Sequence, residues 1–195
     1  MKKLIALILT LTVLLTGCAG TTVVIGNCTC PAGSHNEPAP SVPAEGALKT
    51  GLSVSVSVAD SVSATAEAVG AAKYDITLAA VTVDDNGVIV SCVIDSIPAT
   101  VNFDTTGTIT SDLTAAVATK NELGEGYGMK AWGGAIAEWN EQAASFASYV
   151  TGKTAAEVAG IAITESTKPA EGTDLSSSVT ISIGGFQALI AKAMQ

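Results

Sequence analysis

Two apolar arms around a tight polar turn set the first constraint on the fold. Lys73-Tyr-Asp-Ile-Thr-Leu-Ala-Ala-Val-Thr-Val83 and Val88-Ile-Val-Ser-Cys-Val-Ile-Asp-Ser-Ile97 are rich in β-branched residues, and Asp84-Asp-Asn-Gly87 lies between them. Asn and Gly tolerate positive φ, so this spacing predicts an antiparallel hairpin. Upstream, Ser53-Val-Ser-Val-Ser-Val58 alternates strictly and puts valines on one face and serines on the other, the pattern of a half-buried strand. Downstream, a further arm from about Thr100 to Phe103 runs past Asp104-Thr-Thr-Gly107 into Thr108-Ile-Thr110. The expectation is a three- or four-stranded meander.

Helical spacing comes after the strands. Trp132, Ile136, Trp139, Ala143, Phe146 and Val150 step by four and three alternately, with Glu138, Glu141, Gln142 and Ser145 turned elsewhere, which predicts one helix laid on the sheet. Gly152 ends it, and Thr154-Ala-Ala-Glu157 has capping-box spacing for a short second helix. Residues 164–172, with Pro169, read as a loop. Phe186, Leu189, Ile190, Ala193 and Met194 fall on one face of a closing amphipathic helix that should dock on the core. Before it runs Asp174-Leu-Ser-Ser-Ser-Val-Thr-Ile-Ser182, whose hydroxyls at a helix entrance would either cap the helix or help cradle a phosphate. The fold class is therefore α+β, a twisted antiparallel sheet with helices packed on one face.

Between sheet and helix lies Thr119-Lys-Asn-Glu-Leu-Gly-Glu-Gly-Tyr-Gly-Met-Lys130. Its glycines, its aromatic and its two lysines suit a loop that lets a ligand approach the backbone, and suit an ordinary crossover equally. Lys120 and Lys130 are the natural cations for an anion, and Tyr127, Trp132 or Trp139 could stack on a ring, although the tryptophans at helical spacing read first as core.

The start of the chain concerns delivery. Lys2 and Lys3 precede an apolar run from Leu4 to Leu15 that is too short to span a bilayer and fits a signal peptide over residues 1–17. Leu15-Thr-Gly-Cys18 resembles the bacterial lipobox, which implies cleavage before Cys18 and lipid attachment to its sulfur, on the extracellular face of the membrane. Residues 18–47 hold Pro31, Pro38, Pro40 and Pro43 and read as a tether, with the folded domain at 48–195. The tether carries Cys28, Cys30 and His35, a poor match to a tetrahedral metal site, so a disulfide or no role is the better reading; Cys92 lies in a β arm as a packed thiol.

The chain has 9 cations, all lysine, against 18 acidic residues, a formal charge of −9. Removing Lys2 and Lys3 moves this to −11. Such an acidic surface argues against nucleic acid, whose phosphates need cations to replace their counterions. Without arginine, any anion must be held by lysine, hydroxyl or backbone N–H. The histidine lies in the tether and no Gly-x-Ser-x-Gly elbow occurs, so a redox carrier or binding module fits better than a hydrolase.

Three stretches carry a resemblance over roughly residues 48–195: Tyr74 to Val90, Thr119 to Lys130, and Tyr149-Val-Thr-Gly-Lys-Thr-Ala-Ala-Glu-Val158. Together they resemble Gram-positive surface lipoproteins related to the FMN-binding domain of extracellular electron-transfer flavoproteins. That family attaches FMN through a threonine in Asp-x-x-Ser-Gly-Ala-Thr-x-Ser. Here Asp174, Ser177, Thr180 and Ser182 match, while Ser178 and Val179 stand where glycine and alanine belong, which counts against covalent attachment. The resemblance implies an FMN-binding-like domain in flavin-based electron transfer with redox partner proteins. Its site would be drawn from Asp174, Ser177, Ser178, Thr180, Ser182, Lys120, Tyr127 and Lys130. The alternative is a flavin-free binding or structural lipoprotein on the same scaffold.

Overall fold

In a computed structural model, residues 46–195 are described. The expected signal peptide, the expected lipid-attachment residue Cys18 and the Cys28, Cys30 and His35 group lie outside them. A compact unit spans Ala44–Gln195.

Its sheet has three antiparallel strands in the order β1 (Lys49–Ser57), β2 (Gly70–Val83) and β3 (Ile89–Phe103). The β2–β3 turn is the expected one. Asp84 Oδ1 accepts from the N–H groups of Asn86 and Val88 at 2.9 Å each, and Gly87 takes φ 74°. The second and third β arms are one strand: Pro98 pairs opposite Asp75 within β3. Because β3 is an edge strand, a residue without N–H is tolerated there. Asp104 repeats the same turn, accepting from Thr106 and Thr108. Beyond that turn the chain returns only as a single bridge, Phe103 to Ile109, and the described residues form no fourth strand.

The alternating strand has an unexpected polarity. Ser53 is 2% exposed, whereas Val54 and Val56 are 40% and 61% exposed. The cause is the closing helix, α5 (Gly184–Ala193), which lies so close to β1 that only small residues fit beneath it. Ser53 Oγ donates to the Leu189 carbonyl at 2.6 Å, and a Cβ on Gly51 would overlap the Ala193 carbonyl oxygen. The valines are left on the far face.

The long helix is shorter than its spacing suggests. α1 (Lys120–Leu123), a 3-10 turn (Gly124–Tyr127) and α2 (Met129–Gly133) replace the loop, and α3 begins only at Trp139 and runs to Val150. Gly134, at φ 63°, ends α2, and Glu138 caps α3 in a reciprocal box with Glu141. Ile136 is consequently 54% exposed and Trp132 is 89% exposed, against the expectation that Trp132 is core. Trp139, Ala143, Phe146 and Val150 are buried as expected. Gln142 and Glu138, expected to face away, are buried as well, at 0% and 2%. The short capped helix is α4 (Ala155–Ala159), with its Thr154–Glu157 box intact.

The core lies between one sheet face and α3, α4 and α5. Ala79, Val81, Ile89 and Ile94 meet Phe146, Val158, Leu189 and Ile190. Phe186 joins Trp139 edge-to-face at 5.9 Å and Phe146 at 5.8 Å. No described helix is long and apolar enough to cross a membrane.

Candidate functional site

The hydroxyl run does not sit as a cap on α5. The residue before that helix is Ile183, which has no side chain able to cap it. The capping hydroxyl belongs to Thr173, which holds a separate 3-10 turn over Asp174–Ser177. Asp174, Ser177 and Ser178 are exposed, and the serine hydroxyls donate to backbone carbonyls three residues back.

Thr180 is half-buried and tied inward. Its N–H donates to Gln142 Oε1 at 2.8 Å and its hydroxyl donates to the same oxygen at 3.2 Å, with the Ile181 N–H adding a third bond at 3.2 Å. Gln142 Nε2 donates in turn to the Ala137 carbonyl at 2.8 Å, so one side chain fastens this segment to α3. Val179, where the family motif has alanine, is fully buried. A phosphoester at Thr180 would therefore have to break the hydroxyl's bond to Gln142.

Lys120 is the group that stands out. It opens α1, which Thr119 and Glu122 cap reciprocally. Asn121 anchors that turn to β3, its amide donating to the Ile94 carbonyl at 3.0 Å. The anchor holds the lysine at 8% exposure, with Nζ 5.2 Å from the Tyr127 ring centroid and 5.0 Å from that of Trp139. Aromatic faces attract a cation, which offsets part of its desolvation. The ion pair is weak: Asp75 Oδ1 is 4.0 Å away, its side chain is 54% exposed, and it already accepts from Ser96 Oγ at 2.7 Å.

Two clefts share Lys120 and Asp75. One, of about 260 Å³, is lined also by Ser55, Thr77, Trp139, Ser182 and Gly185. The other, of about 140 Å³, adds Lys73, Tyr74 and Tyr127. The first lies against the start of α5, where no described residue outside the helix accepts a hydrogen bond from the Gly185 or Phe186 N–H and the Cα of Gly185 faces open space. Helix N-termini attract anions through such free N–H groups. A buried ammonium and a helix start thus flank one cleft, a chemistry suited to an anionic ligand with a planar part.

The structure brings Lys120 beside Tyr127 in the smaller cleft and beside Ser182 in the larger one, and Tyr127 and Ser182 share neither. Ser182 Oγ lies beside Thr167 Oγ1. Asp174, Ser177, Ser178 and Thr180 line neither cleft. Lys130 is exposed on α2; its N–H and that of Met129 donate to the buried Glu138 carboxylate at 3.0 and 2.8 Å. Sequence reasoning missed Asp75 and Thr77, which strand pairing brings to the cleft, and the buried Ser96, which donates to Asp75. It also missed Gln142, although its i, i+3 relation to Trp139 on the apolar face was visible.

The larger groove, of about 510 Å³, runs between the β3 edge and α3 past Cys92, Asn140 and Ala147. None of the described residues that line it is charged, so the Lys120 cleft is the better candidate for an anion. Burial pushes the Cys92 thiol from 9.0 up to about 11. The folded state keeps the proton longer than the unfolded chain does. Stability from this group is therefore full below pH 9.0 and is lost as pH rises toward about 11. In the Ala44–Gln195 unit, alkylation of Cys92 by iodoacetamide at pH 8 should run at least roughly tenfold slower folded than in denaturant, because less thiolate is present. Equal rates would mean an accessible thiol. Among the described residues no group of acidic, histidine or cysteine side chains is placed to hold a metal ion.

Comparison with protein-family models, curated proteins and solved structures finds no match to this chain.

Proposed function

We propose that this chain is a lipid-anchored extracellular binding module that takes the anionic group of a planar ligand in the cleft at Lys120, with FMN bound noncovalently as the first candidate. The observation that carries the reading is the burial of Lys120 between two aromatic rings with, among the described residues, a single 4.0 Å ion pair to answer it. A buried charge normally has a close partner, and a ligand anion would complete this one. Bound FMN would supply one- or two-electron transfer. The chain would supply Lys120 and the start of α5 for the phosphate, the Trp139 and Tyr127 rings beside it, and partial exclusion of water.

A flavin-free reading rests on size. Clefts of about 260 and 140 Å³ are small beside typical ligand sites of about 300–1,000 Å³, and favour a compact anion. Titration of the purified protein with FMN, riboflavin and inorganic phosphate, read by flavin and tryptophan fluorescence, separates the two. The flavin reading expects FMN to bind at least about tenfold tighter than riboflavin, with phosphate competing, because the phosphate carries the charge-assisted contacts. Binding of phosphate but not FMN would select the compact anion. Binding of neither would end the proposal. Intact mass after coexpression with a flavin transferase should be unchanged; a gain of one FMN that Thr180→Ala abolishes would move the site to Thr180.

A further inference from the structure

The valines displaced by α5 leave a continuous apolar surface on the far side of the sheet. Strand register puts Leu52 beside Ala80 and Val93, Val54 beside Leu78, and Val56 beside Ile76 and Ile97, with Tyr74 and Ala99 extending the row. Leu52, Val56 and Val93 are 68%, 61% and 53% exposed, and no described element covers them. The only charge within the strands on this face is Asp95, whose Oδ1 already accepts from the Ser96 and Asn121 N–H groups. Lys49, Lys73 and Asp75 all have the opposite parity.

We propose that this face is the interface of a dimer, two copies packing sheet on sheet about a twofold axis. A twofold interface puts one patch against itself, so it must be self-complementary, and an apolar face whose one strand charge, Asp95, lies on the edge strand β3 and is already bonded to Ser96 and Asn121 N–H groups meets that condition with little matching of charges. Overall charge adds to the argument. At −9 for the chain, copies repel each other over most of their surface and can approach closely only where that surface is neutral. The chain's own tether is a weak competitor, since residues 18–45 contain only Val23, Val24, Ile25 and Val42 as large apolar residues. Three strands of about nine residues make a footprint on the order of 400–500 Å² from strand spacing and rise. That is the size of the largest apolar patch on many monomers and falls short of the roughly 800 Å² per partner of a standard interface, so the dimer should be weak and dependent on concentration. Two twisted sheets would then pack aligned, about 10 Å apart.

The Ala44–Gln195 unit suits the test, because every member of its core lies within it. Sedimentation velocity from about 1 to 200 µM should show a monomer–dimer equilibrium within that range, the window in which a weak dimer of this size is detected. Val56→Glu and Val93→Glu alter side chains that are already exposed, so circular dichroism should not change. Each variant should raise the dimer dissociation constant by at least about tenfold, and the pair should leave only monomer, because a carboxylate would be buried unpaired. A wild-type monomer throughout, or a dimer indifferent to both variants, overturns the proposal. So does a monomer that floats with phosphatidylcholine vesicles while the double variant does not, which would make the membrane the occupant.

Discussion

Gly51→Ala should cost about 3 kcal/mol, among the largest effects of any single methyl group in this domain. The added Cβ would fall on the carbonyl oxygen of Ala193, a backbone atom at the end of α5 that cannot swing aside as a side chain could. Relief requires α5 to lift from β1. That movement would break the Ser53 bond to Leu189, the Lys192 Nζ bond to the Val54 carbonyl at 3.2 Å, and the packing of Leu189 and Ile190. For a domain of this size the loss corresponds to a fall in Tm of roughly 6–12 °C, measurable by calorimetry. Ser53→Ala is the matched comparison. It introduces the same residue two positions along, creates no overlap, and removes one hydrogen bond from a carbonyl that can still bond within its helix, for about 1 kcal/mol. If the two variants melt alike, the closeness of α5 to β1 is not what sets the polarity of this strand.

The same contact explains where the sequence could be read and where it could not. The Asp84–Gly87 turn, the Thr154–Glu157 box and the closing helix are local patterns, in which a few neighbouring residues contain the whole physical cause, and all three form as read. The direction of β1 depends on a helix more than 130 residues away, and Ser-Val alternation is symmetric with respect to which face is buried. Trp132 and Ile136 continued the α3 spacing, but Gly133 and Gly134 break the chain there and Glu138 starts a new helix. Composition drew notice to Lys120 and Tyr127, because a cation and an aromatic in a glycine-rich stretch are unusual. Their convergence with Asp75, Ser96 and Trp139 comes from three separate elements and leaves no trace in spacing. The hydroxyl run was visible as a run, while the glutamine that fixes it sits on another helix, 38 residues from Thr180.

Lys120→Met should separate folding from binding. The ammonium is nine-tenths removed from water, and its one carboxylate partner among the described residues stands at 4.0 Å, already bonded to Ser96 and still half in solvent. Against that desolvation stand the Tyr127 and Trp139 rings, worth about 2 kcal/mol at most as cation–π partners. Methionine matches the length of the lysine stem, keeps contact with both rings through its sulfur, and buries no charge. Replacing a buried charge by an apolar side chain of similar volume is commonly neutral or stabilising, so stability should be unchanged or higher by up to about 2 kcal/mol. Asp75 should tolerate the loss because water reaches it. Anion binding should respond in the opposite sense. Without the ammonium, affinity for FMN or phosphate should fall about a hundredfold, the scale of a lost charge-assisted contact in a sheltered site. Chemical denaturation and fluorescence titration on the same variant read the two quantities independently. A variant that loses more than about 1 kcal/mol of stability while binding as well as wild type would make Lys120 a structural strut. A variant as stable as wild type that no longer binds would make it the group around which the cleft is built, retained at a cost to the core because a ligand completes it.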